Sequence, residues 1–470
     1  MANSYFIKGG WVVSVDDEIG NQSDCHVLVE DGIIKAVGKD IQAPDSIPVI
    51  DASDCIVSPG FVDTHRHAWQ SQLKNVTSDM MLPSYFVWLR NVYGSCYTAH
   101  DAYIGELMGA LESIEAGVTF MIDHSHIMNS PAHSDAVVKA LKDSHIRGVF
   151  CYGLYINPAW DGVAPETVTE TTSPDWRFED SARVRKEHFS ADNGPQDLLR
   201  FGFAPAEIER ATIEQNVAEI EHGRKLGAAI ITGHVSMGKM ARGYFFMRNM
   251  AEKKLLGPDL LFSHCAALHD DELESAKAAG VGIAVTPETE LQMAMGHPLS
   301  FKAEKFGCKH GLGIDVACNN PIDMFQQMRL LLQTERNLAN INGADRPTKM
   351  TYFCKEVLRF ATMGGADAVG LKDMIGSITP GKKADLVLTK MTSTRMTPVH
   401  DPVAALVLYA NASDIDTVLI DGRVVKKGGQ LVDFDWAKLR GDVLKSTENI
   451  LERAKKAPMD DIMDAIQIKR

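Results

Sequence analysis

Two histidines one residue apart, His65-Arg66-His67, follow the run Phe61-Val62-Asp63-Thr64. In an extended strand, residues two apart point the same way, so both imidazoles can meet one ion. His234, His264 and Asp315 stand at the ends of three further apolar runs. Two histidines from one strand, another histidine and an aspartate make a mixed nitrogen and oxygen site with a position left for water. A divalent ion in such a site lowers the pKa of bound water to about 7, giving hydroxide at neutral pH. One histidine alone is more often a satisfied core residue. Five such residues at the ends of several candidate strands are a stronger signal.

The elements that must position them alternate. Candidate strands cover 56–64, 118–124, 147–155, 200–205, 228–234, 260–264, 281–286 and 311–315. Helical patterns lie between several of them. Over 101–117, Ile104, Leu107, Met108, Leu111 and Ile114 fall on one face, and Gly117 ends the helix. Eight strands alternating with helices predict a (β/α)8 barrel, whose active site sits at the strand C-terminal ends. The two chain ends read differently. Tyr5 to Val13, His26 to Val29 and Ile33 to Val37 are β-rich, with Asp31-Gly32 as a hairpin turn. The same texture returns at Ala384 to Leu388 and around Asp421-Gly422. The expected architecture is therefore α/β: a distorted TIM barrel over 58–375, with a small composite β-sandwich domain from 1–57 plus 376–430. A charged helical tail is expected over 431–470. The polar stretch 158–196 breaks the rhythm and reads as a lid or a solvated excursion.

Composition limits the partners. The 470 residues carry 48 basic and 62 acidic side chains, a formal charge of −14, with 45% hydrophobic and 23% charged residues. That balance fits a globular protein acting on a small molecule, and argues against nucleic acid or an anionic membrane. No apolar run approaches the eighteen or so residues of a membrane span. Met1 to Lys8 lacks the pattern of a secretory signal, and the eight cysteines are scattered without a C-x-x-C pair. A cytoplasmic location with reduced thiols is expected.

Residues 58–67, Ser-Pro-Gly-Phe-Val-Asp-Thr-His-Arg-His, resemble the first-strand signature of the amidohydrolase superfamily. Residues 376–386 resemble its return to the β domain, and Asp401-Pro402-Val403 and the run Val418 to Arg423 match as well. The likeness is greatest to the branch of cytosine, guanine and S-adenosylhomocysteine deaminases and the triazine hydrolases. It implies His65, His67, His234 and Asp315 as ligands of one divalent metal ion, zinc before iron. It also implies His264 as the group that orients water or polarises substrate, and Asp315 as the acceptor of the water's proton. Gln70 falls where triazine hydrolases carry a substrate-contacting glutamine. Members are often dimers or tetramers, so a homodimer or homotetramer is expected. Binuclear members need a lysine on strand four; 201–208 has none, and Glu207 alone could bridge a second ion.

One departure matters. In the deaminases a glutamate follows the strand-five histidine by three residues and shuttles a proton to the leaving ammonia; here that residue is Met237. A thioether cannot carry a proton. Glu288 or Glu290, after the seventh strand, are the candidate replacements. Trp69, Trp88 and Met237 are the candidate aromatic and apolar contacts to a flat substrate, and Arg66 and Arg242 the candidate partners of an anionic group. His124 and His126 read as supporting residues. The expected activity is metal-dependent hydrolysis of a C–N or related bond in a small cyclic, nitrogen-containing or aromatic substrate. The alternative, motivated by Met237, is a metal-dependent decarboxylase, cyclase or isomerase.

Overall fold

The computed structural model describes residues 3–157, 173–241, 243–343 and 346–458. Seventeen strands build two sheets. In the first part of the chain these are β1 (Tyr5–Val13), β2 (Asn21–Glu30), β3 (Ile33–Gly38), β4 (Val49–Asp51) and β5 (Cys55–Pro59). The barrel strands are β6 (Phe61–Arg66), β7 (Val118–Ser125), β8 (Arg147–Gly153), β9 (Leu199–Ala204), β10 (Ile231–Val235), β11 (Leu260–His264), β12 (Gly282–Val285) and β13 (Lys309–Leu312). The chain then adds β14 (Leu386–Lys390), β15 (Ile415–Ile420), β16 (Arg423–Lys427) and β17 (Gln430–Leu431).

β6 to β13 form one eight-stranded sheet in sequence order, every pairing parallel. Six of these strands are buried at every residue, as expected where helices cover the outside and side chains fill the inside. β6 and β13 are hydrogen-bonded to each other near the C-terminal ends of the strands. Asp315 N–H donates to the His65 carbonyl at 2.8 Å, and His67 N–H donates to the Asp315 carbonyl at 3.0 Å. The contacts that close the barrel are thus made by the same residues that carry the candidate ligands.

The remaining nine strands make the second sheet, in which β5 from the first part of the chain pairs antiparallel with β14 from the last. The predicted strand 56–64 is in fact two. Gly60 separates β5 in one sheet from β6 in the other, and a Cβ there would lie 2.1 Å from Thr119 Oγ1. Only glycine lets the chain cross so close to the neighbouring strand. Arg147, at the start of β8, ties the two units together. Its Nε donates to Asp385 Oδ2 at 2.7 Å and its Nη2 to Asp421 Oδ1 at 3.0 Å.

Helix α1 (Ala99–Glu115) begins in a capping box: Thr98 Oγ1 accepts from Asp101 N–H, and the Asp101 carboxylate accepts from Thr98 N–H. Its Gly109 lets the segment Ala68–Leu73 lie against it, since a Cβ would sit 2.4 Å from the Ala68 carbonyl. Helix α2 (Trp436–Ala454) packs on the same region; Ser446 Oγ donates to Asp101 Oδ1 at 2.6 Å and Arg453 Nε to the Cys96 carbonyl at 2.6 Å. The long loop after β6 is therefore clamped from two sides. Of the polar stretch 158–196, residues 158–172 lie outside the described residues; beyond them Asp175–His188 is helical. Among the described residues no helix is long and apolar enough to cross a membrane.

Candidate active site

The ends of β6, β10 and β11, with Asp315 just past β13, bring the predicted ligands together. His65 Nε2 and His67 Nε2 each lie 3.3 Å from Asp315 Oδ1, and His234 Nε2 lies 3.3 Å from His67 Nε2. His65 Nε2 makes no hydrogen bond although it is buried. The opposite nitrogen of each ring is held elsewhere. His65 Nδ1 meets Ser263 Oγ at 2.7 Å, His67 Nδ1 the His124 carbonyl at 2.7 Å, and His234 Nδ1 both Glu207 carboxylate oxygens at 3.3 Å. Rings anchored at Nδ1 with Nε2 atoms converging on one carboxylate oxygen are what a metal site requires. These residues fit a divalent ion: His65, His67 and His234 form one possible ligand group, and His65, His264 and Asp315 another.

The electrostatics agree. Burial pushes His65 down to about 4, against the opposing pull of Asp315, and holds His67 well below the usual histidine value. Burial alone would raise Asp315; the close approach and charge of His65, with His264 and His234, overcome it and keep the carboxyl below its ordinary value. The site is thus set as neutral imidazoles around a carboxylate, the protonation that metal binding needs.

His264 is held separately. Its Nδ1 lies 3.0 Å from Thr286 Oγ1 and 3.6 Å from Glu290 Oε1. Burial would lower its pKa, but Glu290 and Asp315 more than offset this and raise it. His264 and Asp315 both take left-handed backbone angles, φ +70° and +71°. Non-glycine residues rarely do so, and two at the ends of site-bearing strands mark a strained constellation at the barrel mouth.

A cavity of about 290 Å³ opens beside these groups, lined by His67, His234, His264 and Asp315 and by Leu82, Tyr85, Phe86, Arg90, Met237, Met293, Met295 and Val316. Of the predicted contacts, Met237 faces it. Gln70 does not; it is buried behind the wall, where its Nε2 donates to the Tyr85 hydroxyl at 2.8 Å. Trp69 is buried against Tyr97 and His126, and Trp88 packs against Tyr93, so neither lines the cavity. Glu290 is also turned away from it, accepting the Thr286 N–H at 2.7 Å. Glu288 accepts from Gln327 Nε2 at 3.0 Å. Arg66 donates to the Asp315 carbonyl and to Ser71 Oγ, both at 3.3 Å, and Arg242 lies outside the described residues. His124 and His126 stack around His67 with ring centres 5.1 and 4.1 Å away.

Three participants escaped the sequence reading: Ser263, Arg90 and the part Glu207 plays. The signal for Arg90 was available, a lone cation in the apolar run Tyr85-Phe86-Val87-Trp88-Leu89. Glu207 was noticed only as a bridging ligand, whereas the structure sets it against the far nitrogen of His234.

A parallel barrel with three histidines and an aspartate at its C-terminal mouth defines a metallohydrolase-type site, and the comparisons make the class definite. The chain belongs to the amidohydrolase family, whose model matches residues 56–425. It is 26% identical to the 5'-deoxyadenosine deaminase of Methanosarcina mazei, over 95% of this chain and 98% of that one. Its fold matches an adenosine deaminase from Xanthomonas campestris with bound zinc, with a TM-score of 0.80, 22% identity and coverage of 95% and 98%. It also matches a mutant of the atrazine chlorohydrolase from Arthrobacter aurescens in complex with zinc and atraton, with a TM-score of 0.82, 19% identity and coverage of 94% and 100%.

Proposed function

We propose that this chain is a mononuclear metal-dependent hydrolase that cleaves a C–N or closely related bond in a small ring compound. The observation that carries the reading is the convergence of the Nδ1-anchored His65 and His67 on Asp315 Oδ1, with His234 Nε2 3.3 Å from His67 Nε2. His65, His67, His234 and Asp315 would hold the ion, and three nitrogens with one oxygen suit zinc ahead of iron. When bound, the ion supplies Lewis acidity, polarising the substrate and easing loss of a proton from water. Asp315, kept anionic at the cavity wall, accepts that proton. His264, tethered through Nδ1 to Thr286, turns its other nitrogen to the reacting group and donates to the charge that develops there. Glu207 fixes the ring of His234 as a positioning residue.

A single ion is favoured because β9 offers no lysine to bridge a second. The likeness to a 5'-deoxyadenosine deaminase supports a nitrogen-containing ring. Eight free thiols, seven of them buried, suit a reducing cytoplasm. We also propose a homodimer or homotetramer, for which exposed Trp436 and Leu444 on α2 offer apolar surface; light scattering on the purified protein decides it.

Metal analysis should find about one zinc or iron per chain, lost in His65→Ala and Asp315→Ala. A panel of ring amides, lactams and aminoheterocycles, turned over in ¹⁸O-labelled water, should give labelled product. Turnover without label overturns hydrolysis.

A further inference from the structure

Arg90 is a charge without a partner. The side chain is completely buried, its Nε and Nη2 make no hydrogen bond, and it forms no ion pair among the described residues. It sits on the wide-turned helical stretch Phe86–Tyr93 and faces the same cavity as His67, His234, His264 and Asp315. One face of its guanidinium lies 3.6 Å from the centre of the Tyr155 ring. That stacking fixes the plane of the fork and leaves its edge free. Interior cations are held because something compensates them, and among the described residues no carboxylate lies within ion-pair reach of Arg90, Glu207 acting on it only from further away.

Tyr85 lines the cavity beside it. Its oxygen already accepts from Gln70 Nε2, and Gln70 Oε1 is taken by the Cys318 thiol at 3.4 Å. Gln70 is thereby locked, and the Tyr85 hydroxyl keeps its own proton to give. The rest of this wall is apolar: Leu82, Phe86, Met237 and Met295. Besides the ligand cluster, the cavity lining thus offers donors and one positive charge. A neutral ring would leave that charge uncompensated in a dry site, whereas a planar anion would satisfy both nitrogens of the fork.

We propose that the substrate of this site carries a carboxylate, and that Arg90 and Tyr85 bind it in the cavity that the metal ligands also line. This deepens the hydrolase reading and rests on it. It also gives Met237 a consistent place, since a glutamate there would face the incoming carboxylate with like charge.

The test uses the zinc-loaded full chain with benzoate and its neutral isostere benzamide, measured by titration calorimetry. Benzoate should bind one per chain and at least about tenfold more tightly than benzamide. Arg90→Met should abolish that preference by weakening benzoate alone. Arg90→Lys, which keeps the charge but not the fork, should weaken benzoate by a smaller factor, and it carries the test if the Met variant does not fold. Equal binding of the two probes, or benzoate binding that survives in the folded variant, overturns the proposal, because the anion would then belong to the metal. Zinc content of the same samples separates the two readings. Protein that takes up zinc but shows no Arg90-dependent preference loses only the carboxylate, while protein that takes up no zinc loses the hydrolase reading and this one with it.

Discussion

Replacing Glu207 by Gln should weaken metal binding without touching a ligand. Both carboxylate oxygens lie 3.3 Å from His234 Nδ1, and the pair is buried. Burial would raise Glu207, but His234 and the charges of Arg90 and Arg210 overcome it, so the carboxyl sits below its ordinary value and is ionised at neutral pH. An ionised acceptor on Nδ1–H fixes the tautomer that leaves the Nε2 lone pair for an ion and makes the ring more basic. Removing such a partner typically costs 10- to 100-fold in metal affinity, or about 1.4–2.7 kcal/mol. The amide of Gln still offers an oxygen, so Glu207→Gln should fall near tenfold; Glu207→Ala, which also frees the ring to rotate, should approach a hundredfold. Ser263→Ala, which deletes only a neutral contact to His65, should cost less than Glu207→Gln. Competition for zinc against a chromophoric chelator measures all three, with far-ultraviolet circular dichroism as the control for folding. Unchanged zinc affinity in well-folded Glu207→Ala would refute the assignment of His234 as a ligand.

Asp385→Asn should destabilise the protein by about 3 kcal/mol, read from chemical unfolding, because Arg147 is almost fully buried and would keep only Asp421 as a charged partner. Glu288 is pushed up to about 7, mainly by burial and then by Asp323. A folded carboxyl that holds its proton more tightly than the unfolded chain costs stability as pH rises from its ordinary value of 4.5 through 7. Glu288→Gln should therefore gain on the wild type between pH 5 and 8, by up to about 3 kcal/mol, as melting curves at the two pH values would show. Gly109→Ala should cost about 1–3 kcal/mol, since the new methyl meets the Ala68 carbonyl at 2.4 Å. It should also raise the apparent KM, because the segment it displaces leads into the loop bearing Tyr85 and Arg90.

How much of this was legible depended on whether a residue's place follows from its own strand. His65 and His67 announce themselves because a strand repeats every two residues, and His234 and His264 because each ends an apolar run. Asp315 is found the same way, although its strand stops at Leu312 and the aspartate reaches the site through a left-handed turn. The loop after β6 defeats such reasoning. Trp69, Gln70, Tyr85, Trp88 and Arg90 share one polar and aromatic stretch, and only packing against α1 and α2 decides which of them turn inward. Gln70, expected against substrate, lies behind Tyr85 and is joined to it by a single hydrogen bond. Glu207 and Glu290 were visible as acids near the site, but their direction is set by His234 and Thr286, which are distant in sequence from one or near in a turn from the other.

The proton inventory of the cavity narrows the chemistry further. Asp315 and His264 line it, while Glu207, Glu288 and Glu290 are engaged elsewhere and Met237 occupies the wall where the deaminases of this family carry an acid. General acid–base help is worth about 10²–10⁴-fold, roughly 3–5 kcal/mol of barrier. Expulsion of an aromatic amine, a poor leaving group, needs that help at the ring nitrogen and again at the departing nitrogen. A single relay through Asp315 can serve a reaction in which the proton taken from water is delivered once, to the atom that leaves. Opening a ring amide meets that condition, because the leaving nitrogen stays tethered and close to the carboxylate that protonates it. A carboxylate held on Arg90 would fix the ring so that this nitrogen, and no other, faces Asp315, and the charge on Arg90 would draw electron density from the carbon under attack. Under the carboxylate proposal, Met237 and the buried Arg90, which forms no ion pair among the described residues, both suit one kind of substrate.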